Sequence, residues 1–102
     1  MAEFKVLPYW LFLEQIRPFS SKSRKHIEQK IELIRLNPYR FKHVHSKNFS
    51  MVFRVRMTLD GKERRLIYVI IKDIVFLVCI FDRDKGYRDL EKFLAKFKDE
   101  MG

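Results

Sequence analysis

Apolar and polar positions change rhythm along the chain, and each change marks an element. From Ser21 or Ser23 to about Leu36, the apolar residues Ile27, Ile31 and Ile34, with Leu33, recur at helical spacing. Lys22, Arg24, Lys25, Lys30 and Arg35 decorate the outside of that run. Ser20, Ser21 and Ser23 offer N-caps, and Asn37-Pro38 stops the helix because proline has no N–H to continue the ladder. From Met51 the period becomes two. Met51, Phe53, Val55 and Met57 point one way, while Val52, Arg54, Arg56 and Thr58 point the other. Asp60-Gly61 predicts a tight turn into a second strand, Arg64 to Ile71, and Lys72-Asp73 predicts the next turn. Ile74 to Phe81 is apolar on both faces, as a central strand is. Tyr87 to Lys98 reads as an amphipathic helix carrying Leu90, Phe93, Leu94 and Phe97. At the other end, Glu3 to Tyr9 reads as a short strand, followed by a helical turn over Trp10 to Ile16 that Pro18 closes. Residues 39–50 are polar and basic with no clear period. The order predicts an α+β domain, with N-terminal helices packed on an antiparallel sheet and a C-terminal helix.

Length and composition narrow this picture. At 102 residues the chain suits a single domain over 1–102, with one core rather than two. Hydrophobic residues at 47% and only 3 Gly and 3 Pro exclude a disordered tail or a long linker. The lone cysteine, Cys79, cannot form an internal disulfide, which places the protein in a reducing, cytoplasmic compartment. No basic-then-apolar leader and no apolar run of membrane-spanning length is present, so no membrane partner is expected. Gly-rich phosphate loops, GxSxG and HExxH are all absent. His43-Val44-His45 puts two rings on one face of an extended segment, but no third ligand is evident. No metal and no cofactor are therefore expected.

Charge adds the chemistry. The net charge is +9, and residues 21–60 alone account for +7 of it. A localised excess of this kind is the footprint of a phosphate-rich partner, because neutralising phosphates releases counterions. Lys22, Arg24, Lys25, Lys42, Lys47 and His45 are the candidate RNA contacts. A second group is more specific. Arg54 and Arg56 alternate out of the core, Arg65 opens the next strand, and Arg83, Lys85 and Tyr87 follow the third. In an antiparallel meander these positions can converge, giving fixed cations and a phenol that grip a phosphate and stabilise the charge it gains as it reacts. The plainer alternative is that Arg54 and Arg56 form a solvated strand face and that Tyr87 packs at a helix start.

The stretch Phe53-Arg-Val-Arg-Met-Thr-Leu-Asp-Gly-Lys-Glu-Arg-Arg-Leu-Ile-Tyr68, then an apolar strand and Arg83…Tyr87, resembles the RelE/ParE superfamily of toxins. The Leu36-Asn37-Pro38 helix end resembles it too. The resemblance implies a compact RelE-like fold and a toxin of a type II toxin–antitoxin system. Its RelE branch implies a metal-independent endoribonuclease, an mRNA interferase working at the ribosome through 2′-OH attack. It implies as partners a cognate antitoxin, mRNA and the ribosome. Carried over position by position, the site residues are Arg54, Arg56, Arg65, Arg83 and Tyr87, with Lys85 in reserve. Two departures stand out. RelE has lysines at the two strand positions, and the usual Leu-x-Gly ahead of the strand is Val44-His45-Ser46-Lys47 here. Two rival readings are a ParE-like toxin that inhibits a topoisomerase without cutting, and an RNA- or ribosome-binding module with a degenerate site.

Overall fold

Along the chain come β1 (Lys5–Pro8), α1 (Trp10–Ile16), α2 (Ser21–Leu36), β2 (Lys42–Val44), β3 (Val52–Leu59), β4 (Lys62–Ile71), β5 (Ile74–Asp82) and α3 (Tyr87–Met101). This computed structural model describes residues 3–82 and 87–101, and of Tyr87 the backbone alone. The strands form one five-stranded sheet in the order β1-β5-β4-β3-β2. Strands β2 to β5 pair antiparallel, β3 to β4 and β4 to β5 through the two-residue turns expected, and β2 to β3 through a longer loop. Strand β1 joins β5 in parallel, Lys5 to Pro8 facing Ile74 to Leu77, so the sheet of this α+β fold is mixed. The intervening helices and strands provide the crossover that a parallel pair needs. Strand β2 lies inside the aperiodic segment 39–50, and three residues paired to one neighbour are too few to show a period.

The expectation of one core needs correcting. Both faces of the sheet are buried, giving two apolar layers. On one face Phe12, Phe19, Ile27 and Ile34 from α1, α2 and the turn between them pack with Phe53, Val55, Met57, Leu66 and Tyr68. On the other, Leu90, Leu94 and Phe97 of α3 pack with Val52, Ile67, Val69, Val78 and Cys79. The second layer follows from β4 and β5, which carry apolar residues on both faces and so bury a helix on each side.

Three polar fastenings hold the layers in place. In the β3–β4 turn Asp60 and Gly61 have φ of 49° and 81°, the two left-handed positions of a type I′ hairpin. The Asp60 carboxylate accepts from the hydroxyls of Ser20 (2.6 Å) and Ser23 (2.8 Å), and the Asp60 N–H donates to Ser23 Oγ at 2.8 Å. The Ser20 and Ser23 hydrogen bonds hold the Asp60 carboxyl below the usual carboxylate range. The start of α2 is thereby tied to the tip of the hairpin. Where β1 no longer reaches β5, Gln15 Oε1 accepts the Ile80 N–H at 2.7 Å. At the end of α3, the Glu100 carboxylate accepts from Tyr9 OH at 2.5 Å and from Trp10 Nε1 at 2.8 Å. Lys96 Nζ lies 4.9 Å from the centre of the Trp10 ring.

Candidate active site

Alternation along β3 and β4 sorts their side chains between the two layers. Tyr68, Leu66 and Arg64 share the α1/α2 face with their partners Phe53, Val55 and Met57. Glu63, Arg65, Ile67 and Val69 share the α3 face with Thr58, Arg56, Arg54 and Val52. Helix α3 roofs only part of that face. Its apolar stripe covers the Val52, Ile67 and Val69 end, and charge takes over toward the hairpin. There Arg56 stands directly opposite Arg65, Arg54 lies one step along, and Lys42 of β2 stands opposite Arg54. Four cations from three neighbouring strands thus sit side by side, at the cross-strand spacing of about 5 Å that such pairs have.

The electrostatics are one-sided. Like charges placed directly opposite are destabilising in a sheet, so the Arg56/Arg65 pair opposes folding and favours an anion. The one carboxylate that the register of β3 and β4 brings beside them is Glu63, whose Oε1 lies 3.4 Å from Arg56 Nε. That ion pair is half open to water, with Arg56 54% and Glu63 35% exposed, so it contributes about 0–1 kcal/mol and is easily exchanged. Arg54 is half buried, and its Nε is enclosed without a hydrogen-bond partner among the described residues. A guanidinium N–H left in that condition gains from any phosphate oxygen that reaches it.

The neighbour of Arg65 behaves differently. Arg64 points to the other face, where its Nη1 donates to Asp82 at 2.8 Å and its guanidinium lies 4.9 Å from the centre of the Phe19 ring. Its charge is spent on holding the hairpin to β5. Two other reactive side chains are likewise structural. The Tyr68 hydroxyl donates to the Pro38 carbonyl at 2.6 Å, and burial pushes its pKa up. Burial also pushes up the Cys79 thiol, which is enclosed in the α3 layer and offers no thiolate.

No family model matches the chain, and no curated protein matches it. Solved structures do. A free-state structure of the E. coli toxin RelE carrying two arginine-to-alanine changes superposes with a TM-score of 0.70, at 17% identity, over 95% of this chain and 98% of that one. The isolated E. coli RelE toxin gives a TM-score of 0.61 at 18% identity, over 87% of this chain and 96% of that one. The chain has the RelE toxin fold.

Within this RelE-like fold the expected site residues divide into three groups. Arg54, Arg56 and Arg65 come together on one face, and Lys42 joins them. Lys22, Arg24 and Lys25 lie on α2, across the sheet from that cluster, so the basic segment that is continuous in sequence is split between two sides of the molecule. His45 and Lys47 follow β2 as exposed residues, and the Lys47 N–H donates to Glu91 of α3 at 3.3 Å. Arg83 and Lys85 lie outside the described residues. Tyr87 is the first residue of α3, and its side chain also lies outside them. His43 contacts the Ser50 carbonyl through Nε2 at 2.8 Å, with its ring edge-on to Phe53. Glu63 was not anticipated. A strand expected to begin at Arg64 leaves it in the turn, whereas β4 begins at Lys62 and extends the alternation to it.

Proposed function

We propose that this protein is the toxin of a toxin–antitoxin pair and a metal-independent endoribonuclease that cleaves mRNA at the ribosome. The observation that supports this most directly is the cluster of Lys42, Arg54, Arg56 and Arg65 at the hairpin end of the α3 face. Fixed guanidinium groups bind phosphate oxygens in pairs and gain most where negative charge develops, on the pentacovalent phosphorus of the transition state. Arg54, Arg56 and Arg65, with Arg83, grip the backbone and stabilise that charge. Tyr87, with Lys85 in reserve, moves the proton, since an arginine keeps its own far above neutral pH. Attack by a 2′-OH makes DNA inert as a substrate. The RelE fold of the two structural neighbours accords with this reading, as does the absence of any described helix long and apolar enough to cross a membrane. The antitoxin is expected to be an acidic or amphipathic chain that covers this basic face.

The test is primer extension on mRNA translated in a purified system, run beside a gyrase supercoiling assay. Cleavage that is lost in Arg54→Ala and Arg65→Ala, with supercoiling untouched, supports the nuclease. Inhibition of supercoiling without cleavage transfers the protein to the ParE-like reading. If neither activity is seen while RNA still binds, the protein is a binding module.

A further inference from the structure

The proposed reaction needs an acceptor for the 2′-OH proton, and the described part of the site is composed almost wholly of groups that cannot accept one. An arginine stays charged to above pH 12, and two of the three strand arginines stand directly opposite each other. Besides Lys42, which lies away at the β2 edge, Glu63 is the exception and the one carboxylate on these strands' shared face. It lies on the same face as Arg54, Arg56 and Arg65, two residues before Arg65 and diagonal to Arg56. Its carboxylate reaches the Arg56 guanidinium at 3.4 Å yet remains 35% exposed, so it can be approached from solvent. A structural explanation of the pair is weak. A half-open ion pair contributes little to stability, and the fastening of this hairpin is done by Asp60 and Arg64.

We propose that Glu63 is the general base of the cleavage, with Arg56 holding it beside the scissile phosphate. This rests on the nuclease reading above and assigns the one role that reading leaves without a described residue. In the step, a Glu63 carboxylate oxygen takes the 2′-OH proton as O2′ forms its bond to phosphorus. The P–O5′ bond breaks, and O5′ takes a proton from water. The products are a 2′,3′-cyclic phosphate and a 5′-hydroxyl, and the proton on Glu63 neutralises the hydroxide left by that water. The cations around the carboxylate make the phosphorus more open to attack and keep the carboxylate beside it.

The experiment uses the full chain on mRNA in translating ribosomes, and measures binding of a single-stranded RNA oligonucleotide in parallel. Glu63→Gln is expected to slow cleavage by about 10²–10⁴-fold, the range for removing a positioned base. RNA affinity should hold or tighten, because a negative charge leaves a basic site. The groups facing Glu63 among the described residues are Arg56, Arg65 and, further along, Arg54 and Lys42. A carboxylate base is expected to give a limb of unit slope on the acidic side of the wild-type pH–rate profile, which should vanish in Glu63→Gln and return in Glu63→Asp. Cleavage at the wild-type rate by Glu63→Gln overturns the proposal, as does an acidic limb that survives the change. In both cases the nuclease reading stands. If the wild-type protein cuts no RNA at all, the nuclease reading fails and takes this role with it.

Discussion

At the scale of single residues, the adjacent arginines Arg64 and Arg65 show how far side-chain direction decides function. Arg65 shares a face with Arg54 and Arg56, while Arg64 is engaged by Asp82 and Phe19 on the other. Each cation that meets a phosphate steepens the fall of log affinity with log salt by about 0.7 for single-stranded RNA. Arg54→Ala, Arg56→Ala and Arg65→Ala should each reduce that slope by about one contact, measured by fluorescence anisotropy across a salt series. Arg64→Ala should leave the slope unchanged and instead lower stability by roughly 1–3 kcal/mol, as loss of a partly buried, charge-assisted hydrogen bond does. Much of this was readable beforehand. Period-two alternation places Arg54 and Arg56 together, and the position of Arg65 in the strand follows from the Asp60-Gly61 turn. What could not be read was the start of β4, because Lys62 and Glu63 are charged residues with no strand preference. They become strand only because the I′ turn is two residues long, and Glu63 joins the site as a result.

Among the elements, α2 and the β3–β4 hairpin are coupled by one small cluster. Ser20 caps α2 by accepting the Ser23 N–H at 3.1 Å while its own hydroxyl donates to Asp60. Ser20→Ala should therefore cost about 1 kcal/mol or somewhat more, read from urea unfolding, since both a cap and a tertiary hydrogen bond are lost. The serines were visible as N-caps, but their second partner was not, because Asp60 lies far along the chain from Ser20. The same blindness applies to Gln15, whose side chain completes the edge of β5 beyond the end of β1. Gln15→Ala leaves the Ile80 N–H without that acceptor and should cost about 1–3 kcal/mol. Helix α3 was legible from its stripe of Leu90, Leu94 and Phe97. That it covers only part of a sheet face, and so sets where the charged site begins, depends on packing that no local pattern records.

For the whole molecule, the two ends of the described chain meet at Tyr9, Trp10 and Glu100. Burial and the Glu100 carboxylate push the Tyr9 pKa up to about 12 from 10.0. A phenol whose folded pKa is raised contributes stability that is complete below its unfolded pKa, and that is lost as pH climbs from there through the folded value. Melting temperature should therefore fall between about pH 10 and pH 12, by differential scanning calorimetry. Tyr9→Phe should soften that fall without removing it, because the buried Tyr68 phenol is shifted the same way. The sequence could show neither partner for the other, since they lie at opposite ends of it.

The left-handed Asp60-Gly61 turn bears on how such a site tolerates change in its gene. Side chains on a strand swap faces with every single-residue step, and β3 and β4 are locked opposite each other by a turn of fixed length. A one-codon insertion in this turn that is relieved by sliding β4 would set Arg64 in the place of Arg65, and a deletion would set Leu66 there. The guanidinium that now faces Arg56 would be turned into the apolar layer beneath α2, and its neighbour would be brought to the surface in its place. After insertion of an uncharged residue the chain would keep its charge, but the arginine opposite Arg56 would come from the preceding codon. Codon-scale variation is therefore expected to be excluded from this hairpin, whereas the aperiodic segment between β2 and β3 can absorb it.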